Sequence, residues 1–378
     1  KEGAKVATKV KGAAMGVGEL AFGLMDVEKT GIGAFQGLAV EILANDEGIK
    51  GFKAGLLSAF SAANIGATMF TKVFESATMM LKSLDETSTK FAAATGTGEQ
   101  YQSMLEDIVQ SNVSMGVGFE NASKGLQGLL ENQIGFVDMS KTLQQELAAQ
   151  AGMLERIGVG ADVSADLMNT FSKTMGLGAE DAMGLTKNLA MMGSAIGISS
   201  ERMIKDFQNA NKTLAVYGKQ GVKSFQNLAA AAKAAGVEMN SLLGIAGKFD
   251  TFEDAADTVG KLNAVLGANM SATEMLMMTE DQRIETVIQQ MQVNGESFAQ
   301  MDRFKQKALA NAVGISDMAE ANRIFGMSMS QYRNYSSQLS QSQLTQEKWK
   351  EAIQATVPIQ EKLQAIIIKW APKMTEWL

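Results

Sequence analysis

Only two prolines occur in the 378 residues, Pro358 and Pro372, and both fall in the last 21. Proline removes a backbone donor and clashes with the preceding turn, so its near-absence leaves the chain free to be helical almost throughout. No alternating β-branched runs with Asn-Gly or Asp-Gly turns argue for strands. The expected fold class is all-α.

Glycine then decides where the helices stop. Glycines suited to closing a helix stand at Gly96, Gly116, Gly135, Gly158, Gly176, Gly197, Gly218 and Gly236, with steps of 18 to 23 residues. Gly267, Gly295, Gly314 and Gly326 continue the series less regularly. Such spacing leaves helices of roughly 15 residues, about 22 Å long. In "AIGISSERMIKDF" (195–207), Gly197 can take the left-handed conformation and Ser199 can cap the next helix. Ile198 at N′ and Met203 at N4 would form a hydrophobic staple. The same order recurs at Gly314-Ile315-Ser316 and at Gly326-Met327-Ser328, the latter pairing Met327 with Tyr332. At Gly158 and Gly176 a second glycine stands where the serine would be, as in "IGVGADV" and "MGLGAEDAM". Gly236 closes a helix in the same manner. Glu180, Asp181, Glu201 and Asp317 fall in the following first turns, where the helix dipole favours them. The expectation is a string of short helices joined at glycines, folding into hairpins and bundles.

Three regions differ in texture. Residues 1–95 are rich in Gly and Ala, and Ala54–Thr71 carries no charge between Lys53 and Lys72. Ser58, Ser61, Asn64 and Thr68 dilute its hydrophobicity, so it reads as a buried helix before it reads as a membrane span. Ser58, Ala62 and Gly66 are four apart, a spacing that lets helices pair closely, and mark the candidate membrane segment. Residues 96–345 are the jointed helices, with apolar stripes at Met203-Phe207-Ala210-Leu214-Tyr217 and Phe252-Ala255-Val259-Leu262-Leu266. Residues 346–378 should end in a bundle-type helix whose seam is Leu363, Ile366, Trp370 and Trp377, suited to joining copies.

Chemistry is sparse. The chain has no cysteine and no histidine, which removes disulfides, thiolate metal sites and imidazole bases. A formal net charge of −7 argues against nucleic-acid binding by the surface as a whole. The 26 methionines suit adaptable helical cores. The acids Asp250, Glu253, Asp254 and Asp257 are the one catalytic candidate, and they read as a solvated stripe. "GVGELA" (16–21) and "GIGAFQG" (31–37) lack the strand and the Lys-Ser/Thr of a phosphate loop. The expectation is no enzyme, no cofactor and no metal. Beginning at Lys1 without a signal-peptide layout, the chain is expected to be a segment of a longer polypeptide.

One stretch resembles a known family. The Phe249-Asp250-Thr251-Phe252-Glu253 run, Leu262-Asn263 followed by Leu266-Gly267, the Arg283-Ile284 pair after an acidic turn, and the Gly314-Ile315-Ser316 joint are similar to tail tape measure proteins of large contractile-tailed bacteriophages. Where such proteins often carry a second glycine after Gly267, this chain has Ala268. The resemblance is clearest over about 150–330 and rests on packing residues. It implies a virion protein in the tail tube lumen near the baseplate hub, setting tail length and leaving ahead of DNA. Implied partners are further copies of itself (three first, six second), tube and hub proteins, and the host envelope on ejection. A helix broken every 20 or so residues cannot act as a ruler, so the segment should fold back compactly. The alternative from a different class is a pore-forming or translocator helical protein, and a third is an envelope-degrading enzyme.

Overall fold

A computed structural model describes residues 86–96, 101–293, 297–341 and 346–358, together with 361 and 365. The membrane-segment residues Ser58, Ala62 and Gly66, the seam residues Leu363, Ile366, Trp370 and Trp377, and Gly295 lie outside the described residues. Among those described there are sixteen α-helices and no strand, so the fold is all-α.

In chain order the helices are α1 (86–95), α2 (Gln102–Asn112), α3 (Phe119–Asn132), α4 (Lys141–Arg156), α5 (Ala161–Met175), α6 (Ala179–Met192), α7 (Ser200–Leu214) and α8 (Lys219–Ala235). There follow α9 (Met239–Ala246), α10 (Phe252–Leu266), α11 (Ala272–Met277), α12 (Glu280–Val293), α13 (Arg303–Ala312), α14 (Met318–Phe325), α15 (Met329–Gln341) and α16 (Gln346–Ala355). The chain divides into two compact units, one built from Lys1–Gln127 with Lys350–Leu378 and the other from Gly128–Trp349. The compositional boundaries stand instead at 95/96 and 345/346. In the first unit, Phe91 meets Tyr101 edge to face at 6.2 Å.

The joints are made by local chemistry. Among the described residues ten glycines have positive φ, including Gly158 (85°), Gly176 (66°), Gly197 (68°), Gly236 (66°) and Gly314 (81°). At Gly197 the chain closes with Ile198 N–H donating to Gly193 O at 2.8 Å, and Ser199 then accepts from Arg202 N–H at 3.3 Å. One helix is stopped and the next started within three residues. Where the cap position is Gly160, with no side chain to offer, Glu155 Oε2 reaches across from α4 and accepts from Ala161 N–H at 3.0 Å. The Cβ of an alanine at Gly197 would meet only Lys233 Nζ, at 3.6 Å, so its penalty is the handedness alone. Gly197→Ala is therefore expected to cost about 1 kcal/mol. Ser199→Ala should cost about 0.5–2 kcal/mol through the lost cap. Two unchanged thermal melts would overturn both.

Two of the repeats differ from the sequence expectation. Gly326 has φ −85°, outside the left-handed region, although a Cβ there would stand 2.6 Å from Asn322 O. Close approach to its own helix end, not handedness, is what calls for glycine. Ser316 does not cap α14: Asp317 takes that place, accepting from Ala319 N–H at 2.8 Å. Aspartate caps as well as serine, so the helix starts one residue later than expected. Ser328 does serve α15, accepting from Gln331 N–H at 3.4 Å, and Met327 and Tyr332 are both buried.

Within the Gly128–Trp349 unit, α8 is the hub. It packs against α7, α9, α12, α14 and most extensively α15. Contact on so many sides explains its four consecutive buried alanines, Ala229 to Ala232: small side chains admit neighbours all round. Phe171, Phe207 and Phe225 stack through the core of α5, α7 and α8 with centroids 5.5 and 5.0 Å apart. Each buried phenylalanine contributes about 1.5–3 kcal/mol, and edge-on ring contacts about 0.5–1.5 more. Phe252 breaks its expected stripe. Ala255, Val259, Leu262 and Leu266 are buried, but Phe252 is 63% exposed. It is the first residue of α10, where the helix has not yet turned its apolar side onto the core.

Candidate functional site

Two residues of the resemblance, Asp250 and Arg283, meet at one buried cation. Arg283, on the first turns of α12, has a side chain only 4% exposed. Its Nε donates to Met275 O at 3.0 Å and its Nη2 to Leu276 O at 3.1 Å. Nη1 donates to Ala246 O at 3.2 Å and to Asp250 Oδ1 at 2.5 Å. Met275 and Leu276 lie in the last turn of α11, and Ala246 ends α9. These are carbonyls at helix ends, where backbone partners run short; of the three, Met275 O also accepts from Met278 N–H at 3.3 Å. A guanidinium suits the place because its planar fork reaches several acceptors at once and its charge complements the negative ends of both helices.

Two neighbours complete the arrangement. Thr251 caps α10 by accepting from Asp254 N–H at 3.1 Å, directly after Asp250 has engaged Arg283. Asn263 pairs with Met270 in both directions, its Nδ2 donating to Met270 O and its Oδ1 accepting from Met270 N–H, each at 2.9 Å. That pair closes the α10–α11 turn around Gly267, whose φ is 66°. Asp250, Thr251, Asn263 and Arg283 thus lock three successive joints, between α9 and α10, α10 and α11, and α11 and α12.

Beside the clamp lies a buried acid that no sequence signal singles out. Glu280 is 2% exposed; its Oε1 accepts from the Tyr217 hydroxyl at 3.5 Å, and its Oε2 has no partner among the described residues. Burial pushes its carboxyl above the ordinary 4.5, against the pull of backbone hydrogen bonding, Arg283 and the Tyr217 hydroxyl, with Asp250 adding to the rise. Burial and the same Glu280 raise the Tyr217 hydroxyl. A carboxyl that holds its proton more tightly folded than unfolded makes stability fall as pH rises from 4.5 through the raised value. Glu280→Gln, which cannot ionise, should flatten that fall and leave the variant more stable than the parent at neutral pH. Denaturant midpoints at several pH values check this, and an unaltered slope would reject it.

The carboxylate stripe considered as a catalytic candidate is engaged elsewhere. Asp250 binds Arg283, Asp254 accepts from the Thr251 hydroxyl at 2.7 Å, and Asp257 pairs with Lys261 at 2.5 Å. No group of acidic residues able to hold a metal occurs among the described residues, and no described helix is long and apolar enough to cross a membrane. A second polar array joins distant helices. Asn227 of α8 donates to Asp281 of α12 at 2.8 Å and accepts from Ser336 of α15 at 2.8 Å. These pairings span 54 and 109 residues of sequence, a separation no local pattern encodes. The arrangement can hold helices in register; it presents no nucleophile with an activating base.

No known protein family, curated protein or solved structure matches the chain.

Proposed function

We propose that the chain belongs to a tail tape measure protein of the contractile-tailed phage type. In this reading it sits in the tube lumen near the baseplate hub, acts in tail-length determination during assembly, and leaves ahead of DNA. The supporting observation is that Asp250, Asn263 and Arg283, three polar residues of the resemblance, serve one physical task at three neighbouring joints. A motif of that kind preserves a compact arrangement of short helices, which is what a hub-associated part of a long lumen protein requires. Its partners are then further copies of the chain, three before six, with tube and hub proteins around them.

Length is the deciding measurement. As one continuous helix, the 222 residues of Gly128–Trp349 would span about 330 Å at 1.5 Å per residue. Folded back, they contribute a small fraction of that. Deleting this unit in the phage should therefore shorten tails by far less than about 330 Å. Reconstruction of intact particles should place the chain's density inside the tube. Density outside any tube, or a loss of the full helical length, overturns the reading.

A further inference from the structure

Glu280 and Arg283 are three residues apart on α12, a spacing that makes them neighbours on one helix face, and each has a hydrogen-bonding capacity left over. Glu280 is 2% exposed, and its Oε2 meets no donor among the described residues. Of the five N–H groups of the Arg283 guanidinium, Met275 O, Leu276 O, Ala246 O and Asp250 Oδ1 engage four. One donor and one acceptor are thus spare on adjacent side chains. While the Glu280 carboxyl is protonated, little draws them together. Once it ionises, a full negative charge lies where water cannot stabilise it, and attraction to Arg283 is strong in so dry a place.

No other group relieves that charge. Tyr217, from the turn after α7, offers one long hydrogen bond of 3.5 Å, and Asp250 repels. Asp281, next along α12, is taken up by Asn227 and the Thr279 hydroxyl. Of the helices packed on α12, α9 carries no ionisable side chain. On α8, Lys219 and Lys223 are exposed and Lys233 donates to Gly197 O. On α14, Glu320 accepts from Ser241 and Arg323 is exposed, and Glu274 of α11 is exposed too. We propose that Arg283 exchanges carboxylates: it holds Asp250 while Glu280 is protonated and turns to Glu280 when that group ionises, which frees the α9–α10 joint. Asp250 can be released because its side chain is 49% exposed and returns to water, a course closed to Glu280. Ala246 O loses its Nη1 bond in the same movement, so the end of α9 parts from the approach to α10 while α12 stays helical. The joint is closed in acid and opens as pH rises, because burial holds the Glu280 proton above the ordinary carboxyl range. The switch stands apart from the tape measure reading, since it uses only side chains of the Gly128–Trp349 unit.

The absence of cysteine from the whole chain makes the test direct. Asn240→Cys on α9 and Ala256→Cys on α10, both at exposed positions, carry spin labels whose separation reports the joint. In the full chain one separation is expected in acid, and a second population should grow as pH rises from about 5 to about 9. While small, that population should increase roughly tenfold per unit of pH. Glu280→Gln in the same labelled chain should keep the acid separation throughout, and the helical circular dichroism signal of both should hold across the range. NMR of the Arg283 guanidinium, assigned by its loss in Arg283→Lys, reads where that side chain goes. Its N–H groups should change shift with the transition and stay shielded from solvent exchange on both sides of it. A single separation at every pH, a second population that Glu280→Gln also shows, or a helical signal lost with the change overturns the switch. Guanidinium protons that exchange at the solvent rate above the transition overturn the exchange of partners, and they can be read in the unlabelled parent even if a variant fails to fold.

Discussion

Arg283→Met is expected to cost about 3–5 kcal/mol, the usual consequence of removing one member of a buried charged pair. The greater part comes from carbonyls. Ala246, Met275 and Leu276 each lose a donor where two helices end, Met275 keeping only the Met278 N–H, and a buried acceptor left unpaired costs about 1–3 kcal/mol. Asp250 adds less, because its side chain is 49% exposed and water can take up its charge. The order of variants follows. Asp250→Asn should cost about 1 kcal/mol, since the amide oxygen still accepts. Arg283→Lys should fall between, keeping the charge but losing the fork that reaches several acceptors. Urea titrations of the full chain measure all three, and a loss below about 1 kcal/mol for Arg283→Met would show that the clamp does not hold the joints.

How far the sequence carries a reader depends on the range of the interaction. Helix ends are settled within a few residues by backbone handedness and a capping oxygen, so Gly197 and Ser199 could be placed from the sequence alone. Even there, two adjacent residues of similar capping strength, Ser316 and Asp317, leave the start uncertain by one position. Gly326 shows a second limit. Its glycine answers to a nearby carbonyl, and sequence does not distinguish that need from a left-handed turn.

Long-range contacts were not legible. Arg283 looked like any basic residue following an acidic turn, yet it gathers acceptors from α9, α11 and the approach to α10. The helical period assigned Phe252 to the buried stripe because period alone does not say where a neighbouring helix stops covering a face. Glu280 shares its first-turn position with many solvated acids, and its burial beside Tyr217, 63 residues away, is a tertiary outcome. The pairing of α8 with α15 is of the same kind. The alanines of α8 and the serines of α15 give little apolar signal, and their union depends on close approach and on the Asn227–Ser336 bond.

Close approach also governs the remaining large effect, at Gly128. In a helix interior, replacing glycine by alanine ordinarily gains about 0.8–1 kcal/mol of propensity. Gly184 of α6 is such a position: a Cβ there meets nothing within 4 Å, and Gly184→Ala should stabilise by about that amount. Gly128 of α3 should behave oppositely. A Cβ there would stand 2.6 Å from Ala161 Cβ, 2.7 Å from Ala161 C and 2.9 Å from Asp162 N. Two of these are backbone atoms, so no side-chain rotation relieves the overlap. The crossing cannot slide aside either. Asn169 of α5 donates to Asn132 O at 2.6 Å and accepts from Ile134 N–H at 3.1 Å, while Ala161 N–H is held by Glu155. Overpacking of this kind costs about 1–3 kcal/mol or more, which outweighs the propensity gain. Gly128→Ala should therefore lose about 1 kcal/mol net. Paired thermal melts of the two variants read opposite signs, and a Gly128→Ala protein as stable as its parent would mean that α3 and α5 do not meet this closely.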